Sequence, residues 1–399
     1  MSYTVKRQFI GKTEFLDSLM KESGKLYSQT LTYFWRIVKK KNIWLKPKHL
    51  MRIFNSKNLH AHSADAAVQA FFNALSSWRE HKKSDPNCKP PKKRKLYYPI
   101  TWKNSAIRIK NNNLILSNGK GNQPLILENW KYKLPKICLM RWTGKKYEII
   151  FTYSEPDSEI NIKQENPVGI DIGQIHLAAC SNGLLVNGRE LRSLKQWRNK
   201  KLSDLQTKLS TKKKGSRQWK RLNQAKKNFL MYFKNRSNDI LHKLSTGIVL
   251  TQKKLGVNTL VIGDLSGYRQ DNNCGKIRNQ ENHQWLYGKI TFYLKYKAEN
   301  NGLIVRLQEE SYTSQTCPRC GNKKKMKGRV FYCEECGFSG HRDIVGSYNI
   351  LRKYLGTFNK YQVVTDMAPV FSIRYKSNIN VACGFKNFLS SKLQESTGF

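Results

Sequence analysis

The chain has 399 residues and carries 73 lysines and arginines against 27 aspartates and glutamates, a formal net charge of +46. This length is enough for two or three domains. A hydrophobic share of 39%, with 19 Tyr, 17 Phe and 9 Trp, excludes a disordered chain. A charge of this size requires a polyanionic partner, and no apolar run approaches the roughly 20 residues that span a membrane, so nucleic acid is the favoured partner.

The N-terminal part of the chain is predicted to combine antiparallel strands with inserted helices. The stretch "YTVKRQF" predicts a short strand, residues 12–45 carry apolar side chains at helical spacing, and a second helix is predicted across "SADAAVQAFFNALSSWREHKK". From Leu96 to Tyr153 the apolar period changes to two, in runs separated by Asn-rich and Gly-Lys turns. We predict a small antiparallel β-barrel from residues 1–11 and 96–160, with a helical lobe at 12–95 inserted after its first strand.

The C-terminal part of the chain has a different order of elements. From Pro167 onward the pattern is strand, hairpin, helices, strand, helix, strand and helix, which predicts an α/β domain. Residues 190–250 are predicted to form long helices in which basic residues far outnumber acids and aromatic side chains are interleaved. Basic helices are often only solvated surfaces, but this combination favours a nucleic-acid contact. The stretch 356–399 has no clear period, and we expect it to be a flexible tail.

Four of the nine cysteines have the spacing of a metal site. Cys317, Cys320, Cys333 and Cys336 form two C-x2-C pairs separated by twelve residues, and a glycine follows each pair. Two such pairs converge on a tetrahedral Zn²⁺, and four thiolates leave no open position, so the predicted zinc is structural rather than catalytic. The other five cysteines are scattered singly, as is usual in a reducing compartment: Cys88, Cys138, Cys180, Cys274 and Cys383.

Two aspartates are candidate metal ligands. Asp171 interrupts the apolar strand "VGIDIGQIHLAAC" before a turn, where a carboxylate is costly to bury without a partner or a metal. Asp343 lies in "GHRDIVGSYNIL", at the start of a predicted helix whose N-terminus its charge would also stabilise. Hydrolysis of a phosphodiester by two divalent ions needs several carboxylates, and hard oxygen ligands select Mg²⁺ or Mn²⁺. The sequence therefore offers two members of such a set and raises the question of the third.

Several segments between about residues 160 and 355 together resemble the TnpB family. They are "GIDIGQIHLAA", the basic helical stretch with "HKLS", "HQWLYGKITFYLKYKAENNGLIV", "YTSQTCPRCG", "CEECGFSGHRD" and "NIL". The resemblance implies a multidomain α+β protein with an RNase H-like RuvC domain at 161–310 and 342–355 and a zinc ribbon inserted at 311–341. The N-terminal half resembles the family in layout alone, with the barrel as the wedge domain and the helices as the recognition lobe.

The resemblance also implies an activity and its partners. Members of this family are transposon-encoded, RNA-guided DNA endonucleases related to type V CRISPR effectors. The expected partners are a guide RNA from the transposon end and double-stranded target DNA beside a short target-adjacent motif, and the expected catalytic ion is Mg²⁺, with Mn²⁺ as a substitute. Because the start "MSYTVKRQFIGK" lacks the apolar core of a signal peptide, we expect a cytoplasmic protein. We further expect a monomer in a prokaryotic cell, associated with the nucleoid and not with membranes.

The resemblance assigns the first acid to Asp171 and the last to Asp343, but the usual position of the second is occupied by Gly263 in "LVIGDL". Asp264 is the nearest acid, yet neighbours in a strand point to opposite faces, so its side chain is expected to face away. Glu310 ends the next predicted strand and could reach across one strand spacing of about 4.8 Å into the space that a glycine leaves. We therefore predict Glu310 as the relocated acid, with Glu309 as second choice and a plain surface position for Glu310 as the structural alternative.

Two other functions share the same binding features. One is a nuclease-dead, RNA-guided DNA-binding repressor, which would differ in whether the third carboxylate exists. The other is a nucleic-acid-binding protein that uses no guide. A discrete RNA that copurifies with the protein is expected for both guided functions and not for a protein that uses no guide.

Overall fold

The computed structural model describes residues 2–155, 164–266, 275–325, 328–358, 370–375 and 381–397. The chain divides into two compact units, Met1–Asp157 and Ser158–Phe399, called here the N-terminal and the C-terminal unit. Among the described residues, no helix is long and apolar enough to cross a lipid bilayer. The division lies close to the end of the predicted barrel at residue 160.

The N-terminal unit contains two antiparallel sheets. The first has the order β1-β7-β6-β2, and the second has the order β3-β4-β5. Their strands are β1 (Ser2–Ile10), β2 (Ile100–Lys103), β3 (Ile107–Lys110), β4 (Asn113–Leu116), β5 (Leu125–Leu127), β6 (Ile137–Trp142) and β7 (Tyr147–Glu155). Both sheets contribute to one core that includes Trp102, Leu114 and Phe151. In the part of the chain described, the strands of the predicted barrel form two sheets, and a short 3-10 turn at Asn104–Ala106 lies between β2 and β3.

The predicted helices follow the first strand. They are α1 (Glu14–Lys41), the short α2 (Pro47–Ile53), which the periodicity did not indicate, and α3 (Ala61–Ser84). Thr13 caps α1 by accepting a hydrogen bond from the Leu16 backbone N–H at 3.2 Å. The helices share an aromatic core built around Phe34 and Phe71, whose ring centroids lie 5.1 Å apart.

The C-terminal unit is built on one six-stranded mixed sheet. Its strands are β8 (Pro167–Asp171), β9 (His176–Cys180), β10 (Leu184–Asn187), β11 (Thr259–Asp264), β12 (Ile304–Glu309) and β15 (Phe371–Arg374), in the order β12-β11-β8-β9-β10-β15. Strands β12, β11 and β8 run parallel, whereas β9 is antiparallel to both β8 and β10. The expected position of β12 beside β11 is confirmed by its register, in which Gly263 pairs with Gln308.

Helices cover both faces of this sheet. They are α4 (Arg189–Ser210), α5 (Arg217–Lys254), α6 (Lys276–Gln284), α7 (Tyr287–Asn300), α8 (Arg342–Tyr354) and α9 (Val381–Thr397). One face buries Val168, Ile170, Leu260 and Ile262 in a core shared with α5, α7 and α9. The other face is covered by α8, and a short hairpin of β13 (Val330–Tyr332) and β14 (Ser339–His341) immediately precedes that helix.

The expectation of a flexible tail at 356–399 is wrong for two segments. Strand β15 extends the sheet by pairing in parallel with β10, and α9 packs against α5. The Phe385 ring lies where a side chain on Gly247 of α5 would stand, since a Cβ there would be 2.1 Å from it. Strand β15 has only four residues, and the buried apolar side chains of α9, among those that the structure describes, are Phe385, Phe388 and Leu389, so neither element leaves a long periodic signal in the sequence.

This packing predicts a cost for truncating the core of α9. Phe388 is fully buried in the core of the C-terminal unit, so Phe388→Ala should lower the free energy of unfolding by about 3–5 kcal/mol. Urea unfolding measures the change. Phe292→Ala is the matched control, because that side chain is 61% exposed; equal stability of the two variants would contradict a structural role for α9.

Candidate active site

Glu310 occupies the space beside Gly263. It directly follows β12, and a Cβ built on Gly263 would lie 2.2 Å from Glu310 Oε2 and 3.0 Å from Ile350 Cδ1 of α8. A side chain at position 263 would therefore meet the Glu310 carboxylate and the tip of Ile350, and one of these side chains would have to shift. Residues 308 and 310 have the same parity, and Gln308 is the register partner of Gly263, so Glu310 continues on the face of the sheet that α8 covers.

Asp171 lies on the same face at the end of β8. Its carboxylate is accommodated by a second glycine, because a Cβ on Gly346 of α8 would lie 2.9 Å from Asp171 Oδ2. Gly346 follows Asp343 by one helical turn, so the same stretch of α8 provides one carboxylate and leaves space for another. The role of Gly346 was not predicted from the sequence. A glycine within the apolar helical pattern of "DIVGSYNIL" was the feature that could have indicated a close contact there.

The carboxylates of Asp171 and Glu310 are electrostatically unfavourable as a pair. Burial raises the pKa of Asp171 to about 7, with a further contribution from the charge of Asp343. Burial also raises the pKa of Glu310 to about 8, and the charge of Asp171 adds to this effect. Glu310 Oε2 is buried and has no hydrogen-bond partner among the described residues. Two nearby acids with an unsatisfied oxygen fit a hard divalent cation, which would compensate the repulsion and the lost hydration.

Asp343 has a different environment. It is the second residue of α8, its Oδ2 lies 2.6 Å from His176 Nδ1, and both of its oxygens lie 3.0 Å from an Arg329 guanidinium nitrogen. Although burial acts in the opposite direction, the hydrogen bond from His176 and the charge of Arg329 hold the pKa of Asp343 below its ordinary value. Asp343 is therefore ionised over the neutral pH range, and it already has cationic and hydrogen-bonding partners.

Two histidines join this site that the sequence reasoning assigned no role. His176 and His341 form an edge-to-face ring pair with centroids 5.1 Å apart, and together with Asp343 they offer ligand atoms within 4.8 Å of one another. The signal was present in the motif segments "GQIHLAA" and "GHRD", but a lone histidine in a strand or before a helix is not diagnostic. Asp171, His176, Arg192, Arg329 and Asp343 line one cavity of about 200 Å³.

The two alternative acids are occupied elsewhere. Asp264 Oδ1 accepts hydrogen bonds from the backbone N–H and the hydroxyl of Ser266, at 2.9 and 2.6 Å, and so caps the turn after β11. Glu309 forms an ion pair with Lys353 at 2.7 Å, which lowers the pKa of Glu309 to about 2, and its side chain is 63% exposed. Of the three acids that were candidates for the second position, Glu310 alone has an unpartnered buried oxygen.

The four cysteines converge as their spacing predicted. Their sulfurs all lie within 4.8 Å of one another, and two of the pairs are separated by 3.5 and 3.4 Å, as Cys317–Cys336 and Cys320–Cys333. Four sulfurs bound at about 2.3 Å to one ion would lie ~3.8 Å apart, so the cluster has the dimensions of a Zn²⁺ site. Gly321 and Gly337 adopt positive φ angles of 75° and 69°, which allows the chain to turn back at each pair.

The long helices α4 and α5 carry exposed aromatic side chains among their basic residues. Trp197 and Tyr232 are 46% and 56% exposed, and the Trp197 ring packs edge-to-face on Phe229 with centroids 4.9 Å apart. Exposed rings between lysines and arginines can stack on bases while the cations bind phosphates. The predicted nucleic-acid contact on these helices therefore has suitable chemistry.

Comparisons with known proteins agree with these features. A family model described as "Probable transposase" (OrfB_IS605) matches residues 150–269, and the "Cas12f1-like, TNB domain" model matches residues 287–350. "TnpB-like protein MJ0751" of Methanocaldococcus jannaschii is 27% identical over 254 residues, which cover 60% of this chain and 85% of that protein. "Putative RNA-guided DNA endonuclease InsQ" of Escherichia coli K12 is 27% identical over 255 residues, covering 56% of this chain and 62% of InsQ.

The fold has a counterpart among solved structures. The protein chain in the "Cryo-EM structure of the Cas12f1-sgRNA-target DNA complex" superimposes with a TM-score of 0.58 at 16% sequence identity, covering 84% of this chain and 82% of that one. At this identity the likeness is one of fold. It supports a mixed α+β architecture of several domains for the chain.

The cysteine geometry predicts a bound zinc ion. The purified protein should contain about one zinc per chain by mass spectrometry of metals, and Cys333→Ser should lose most of it, because three thiolates bind zinc more weakly than four. Cys383→Ser is the control, since that cysteine is exposed and lies outside the cluster. Retention of zinc by Cys333→Ser would contradict a four-cysteine site.

The raised pKa of Glu310 predicts a pH-dependent stability without added divalent cation. Its folded-state pKa of about 8 exceeds the ordinary value of 4.5, so the folded protein loses stability as pH rises from about 5 through 8. Glu310→Gln removes this loss and should stabilise the protein at pH 8.5, relative to pH 5, by about 2–4 kcal/mol, because each pKa unit corresponds to about 1.4 kcal/mol.

Urea unfolding at both pH values in Mg²⁺-free buffer measures this difference. The adjacent Glu309→Gln is the matched control, because that exposed carboxylate is stabilised by Lys353 and its removal should not stabilise the protein at either pH. An equal response of the two variants would show that Glu310 is not buried unfavourably.

Proposed function

This chain belongs to the TnpB family, and on that premise we propose that it is a transposon-encoded, RNA-guided DNA endonuclease that requires a divalent metal ion. The observation that carries the proposal is the carboxylate of Glu310 beside Gly263, facing the same helix as Asp171. A nuclease-dead chain would have no physical reason to keep two repelling acids half-buried, one of them with an unpartnered oxygen.

The sheet of the C-terminal unit supports the RNase H-like RuvC assignment that the family resemblance implies. Its first five strands in chain order, β8 to β12, have the spatial order 5-4-1-2-3, with the second strand antiparallel to its neighbours. Asp171 and Glu310 stand at the carboxyl ends of two parallel strands, the edge of an α/β sheet where sites form. We assign this domain to residues 161–310 and 342–355 and the zinc ribbon to residues 311–341.

In the proposed reaction Asp171, Glu310 and Asp343 would hold Mg²⁺, for which Mn²⁺ could substitute. When bound, Mg²⁺ would activate a water molecule and neutralise charge on the scissile phosphate. Arg192 and Arg329 line the same cavity as Asp171 and Asp343 and would bind non-bridging phosphate oxygens, for which a guanidinium has suitable donors. The four-cysteine ribbon would have a structural role, because a closed thiolate shell has no position for substrate.

The proposed partners are a guide RNA from the transposon end and double-stranded DNA beside a short target-adjacent motif. Base pairing with the guide would read the target, as in related RNA-guided effectors. The net charge of +46 supports binding of extended polyanions, and α4 and α5 supply exposed aromatic and basic side chains for it. We assign the wedge to residues 1–11 and 96–160 and the recognition lobe to residues 12–95. The proposed enzyme acts as a monomer in the prokaryotic cytoplasm, associated with the nucleoid.

Cleavage of a supercoiled target plasmid with guide RNA and Mg²⁺ tests the relocated acid. Glu310→Gln should lower the rate at least about a hundredfold, since even residues that only support metal ligands cost 10–100-fold when changed. Asp171→Asn should do the same. Asp264→Asn and Glu309→Gln are the controls and should cut at near the wild-type rate, because their carboxylates are already engaged by Ser266 and Lys353.

The outcomes separate the alternative functions. Wild-type protein that binds its guided target but never cuts would favour the repressor. Absence of any discrete RNA in protein purified from the native host would contradict both guided functions. If Glu310→Gln cuts as fast as wild type, the relocated-acid assignment is wrong even though the chain is a nuclease.

A further inference from the structure

We propose that His176 is a positioning residue for the candidate nuclease site, which fixes the orientation of the Asp343 carboxylate by donating a hydrogen bond from Nδ1. This proposal deepens the proposed function and rests on it for its relevance to cleavage. It concerns a residue outside the three carboxylates that the family resemblance assigns.

The first observation is the contact itself. His176 Nδ1 lies 2.6 Å from Asp343 Oδ2, and the two side chains are only 12% and 17% exposed. Both oxygens of Asp343 also lie 3.0 Å from an Arg329 guanidinium nitrogen, and a carboxylate paired with a guanidinium carries no proton and can only accept a hydrogen bond. The proton of this bond therefore belongs to Nδ1 of His176, and the imidazole is the donor.

The second observation is a bulge in β9 that turns His176 toward Asp343. Val186 pairs with Ala178, but the next residue, Asn187, pairs with His176, so Leu177 is an extra residue in the strand. Leu177 and Ala178 both point into the core shared with α5. Ala179, two positions from Leu177, faces Ile344 of α8. Without the extra residue, His176 would share the face of Ala178 and point away from α8.

The third observation is that the ring is held from a second side. The His341 ring meets that of His176 edge-to-face at 5.1 Å, and His341 Nδ1 accepts a hydrogen bond from the Asp343 backbone N–H at 3.3 Å. Asp343 is thus located through its backbone by His341 and through its carboxylate by His176. Arg329 contacts both oxygens of Asp343 but is itself 46% exposed, so it contributes charge without the same fixed geometry.

These contacts give His176 a defined effect on metal binding. A carboxylate ligand that rotates freely loses part of its affinity, because its orientation must be restored on binding. Since His176 holds one oxygen of Asp343 in a fixed direction, rotation of the carboxylate is restricted in the cavity that Asp343 and Asp171 both line. The hydrogen bond from Nδ1, rather than the size or charge of the ring, is the property required.

The test exploits the position of the donor atom. The amide nitrogen of Asn can replace Nδ1 of an imidazole, whereas that of Gln replaces Nε2. We therefore expect His176→Asn to bind Mn²⁺ within about threefold of wild type, and His176→Gln and His176→Ala to bind it about 10–100-fold more weakly. Mn²⁺ titration of the zinc-loaded protein, followed by electron paramagnetic resonance, gives these affinities without guide RNA or DNA.

The controls separate positioning from folding and from the proposed function. His283→Asn is the matched control, because His283 is exposed in the same unit, and it should bind Mn²⁺ like wild type. Thermal unfolding of each metal-free variant identifies any loss of structure; a weaker-binding Gln variant with unchanged stability supports the proposal. Equal Mn²⁺ affinity of the Asn and Gln variants, or of the Ala variant and wild type, would overturn it.

A cleavage series with increasing Mg²⁺ then links the effect to the proposed reaction. The Gln variant should need about 10–100-fold more Mg²⁺ for half-maximal rate and approach the wild-type rate at saturation, while the Asn variant follows wild type. If wild type cuts no guided target, the proposed function fails while the Mn²⁺ result still decides the role of His176.

Discussion

The close approach of α8 to the central strands is the constraint on which the candidate site depends. A Cβ on Gly169 of β8 would lie 2.0 Å from the Ser347 carbonyl oxygen, so the helix touches the sheet backbone at this point. Gly263 and Gly346 leave the remaining gaps between the two layers, and the carboxylates of Glu310 and Asp171 fill them. The helix that carries Asp343 is thereby set against two other acids at a separation that larger residues would not permit.

The same packing makes the site costly to the fold. Acids that are half-buried beside one another raise the energy of the folded state whenever both are ionised, and the buried oxygen of Glu310 adds the loss of its hydration. Asp343 avoids this cost because His176 and Arg329 supply its partners. The site therefore has two electrostatically distinct halves: at Asp171 and Glu310 burial outweighs the nearby positive charges, whereas Asp343 has direct cationic and hydrogen-bonding partners. Such frustration is tolerated where function requires it, while the surrounding core supplies the stability.

The features that were predicted correctly are encoded locally or follow from the family's strand order. The cysteine pairs are defined by spacing within twenty residues, whereas the position of Glu310 followed from strand parity, the missing side chain at Gly263 and the strand order that the family resemblance implies. The role of His176 could not be found in this way, because regular alternation places it on the wrong face and the bulge depends on pairing with β10. The division of the predicted small barrel into two sheets and the ordered segments of the tail were missed for a related reason. Contacts between distant segments decide how the strands divide into sheets and whether β15 pairs with β10.

The glycine at position 263 also constrains how such a site can arise. A glutamate at 263 and a glutamate at 310 would compete for the same space in this packing, because a Cβ at 263 already meets the carboxylate of Glu310 and the two charges would repel. One of the two side chains would have to shift, so the residue that suits one position depends on the residue at the other. The two positions are therefore epistatic, and an exchange of the acid between β11 and the end of β12 requires that both positions change.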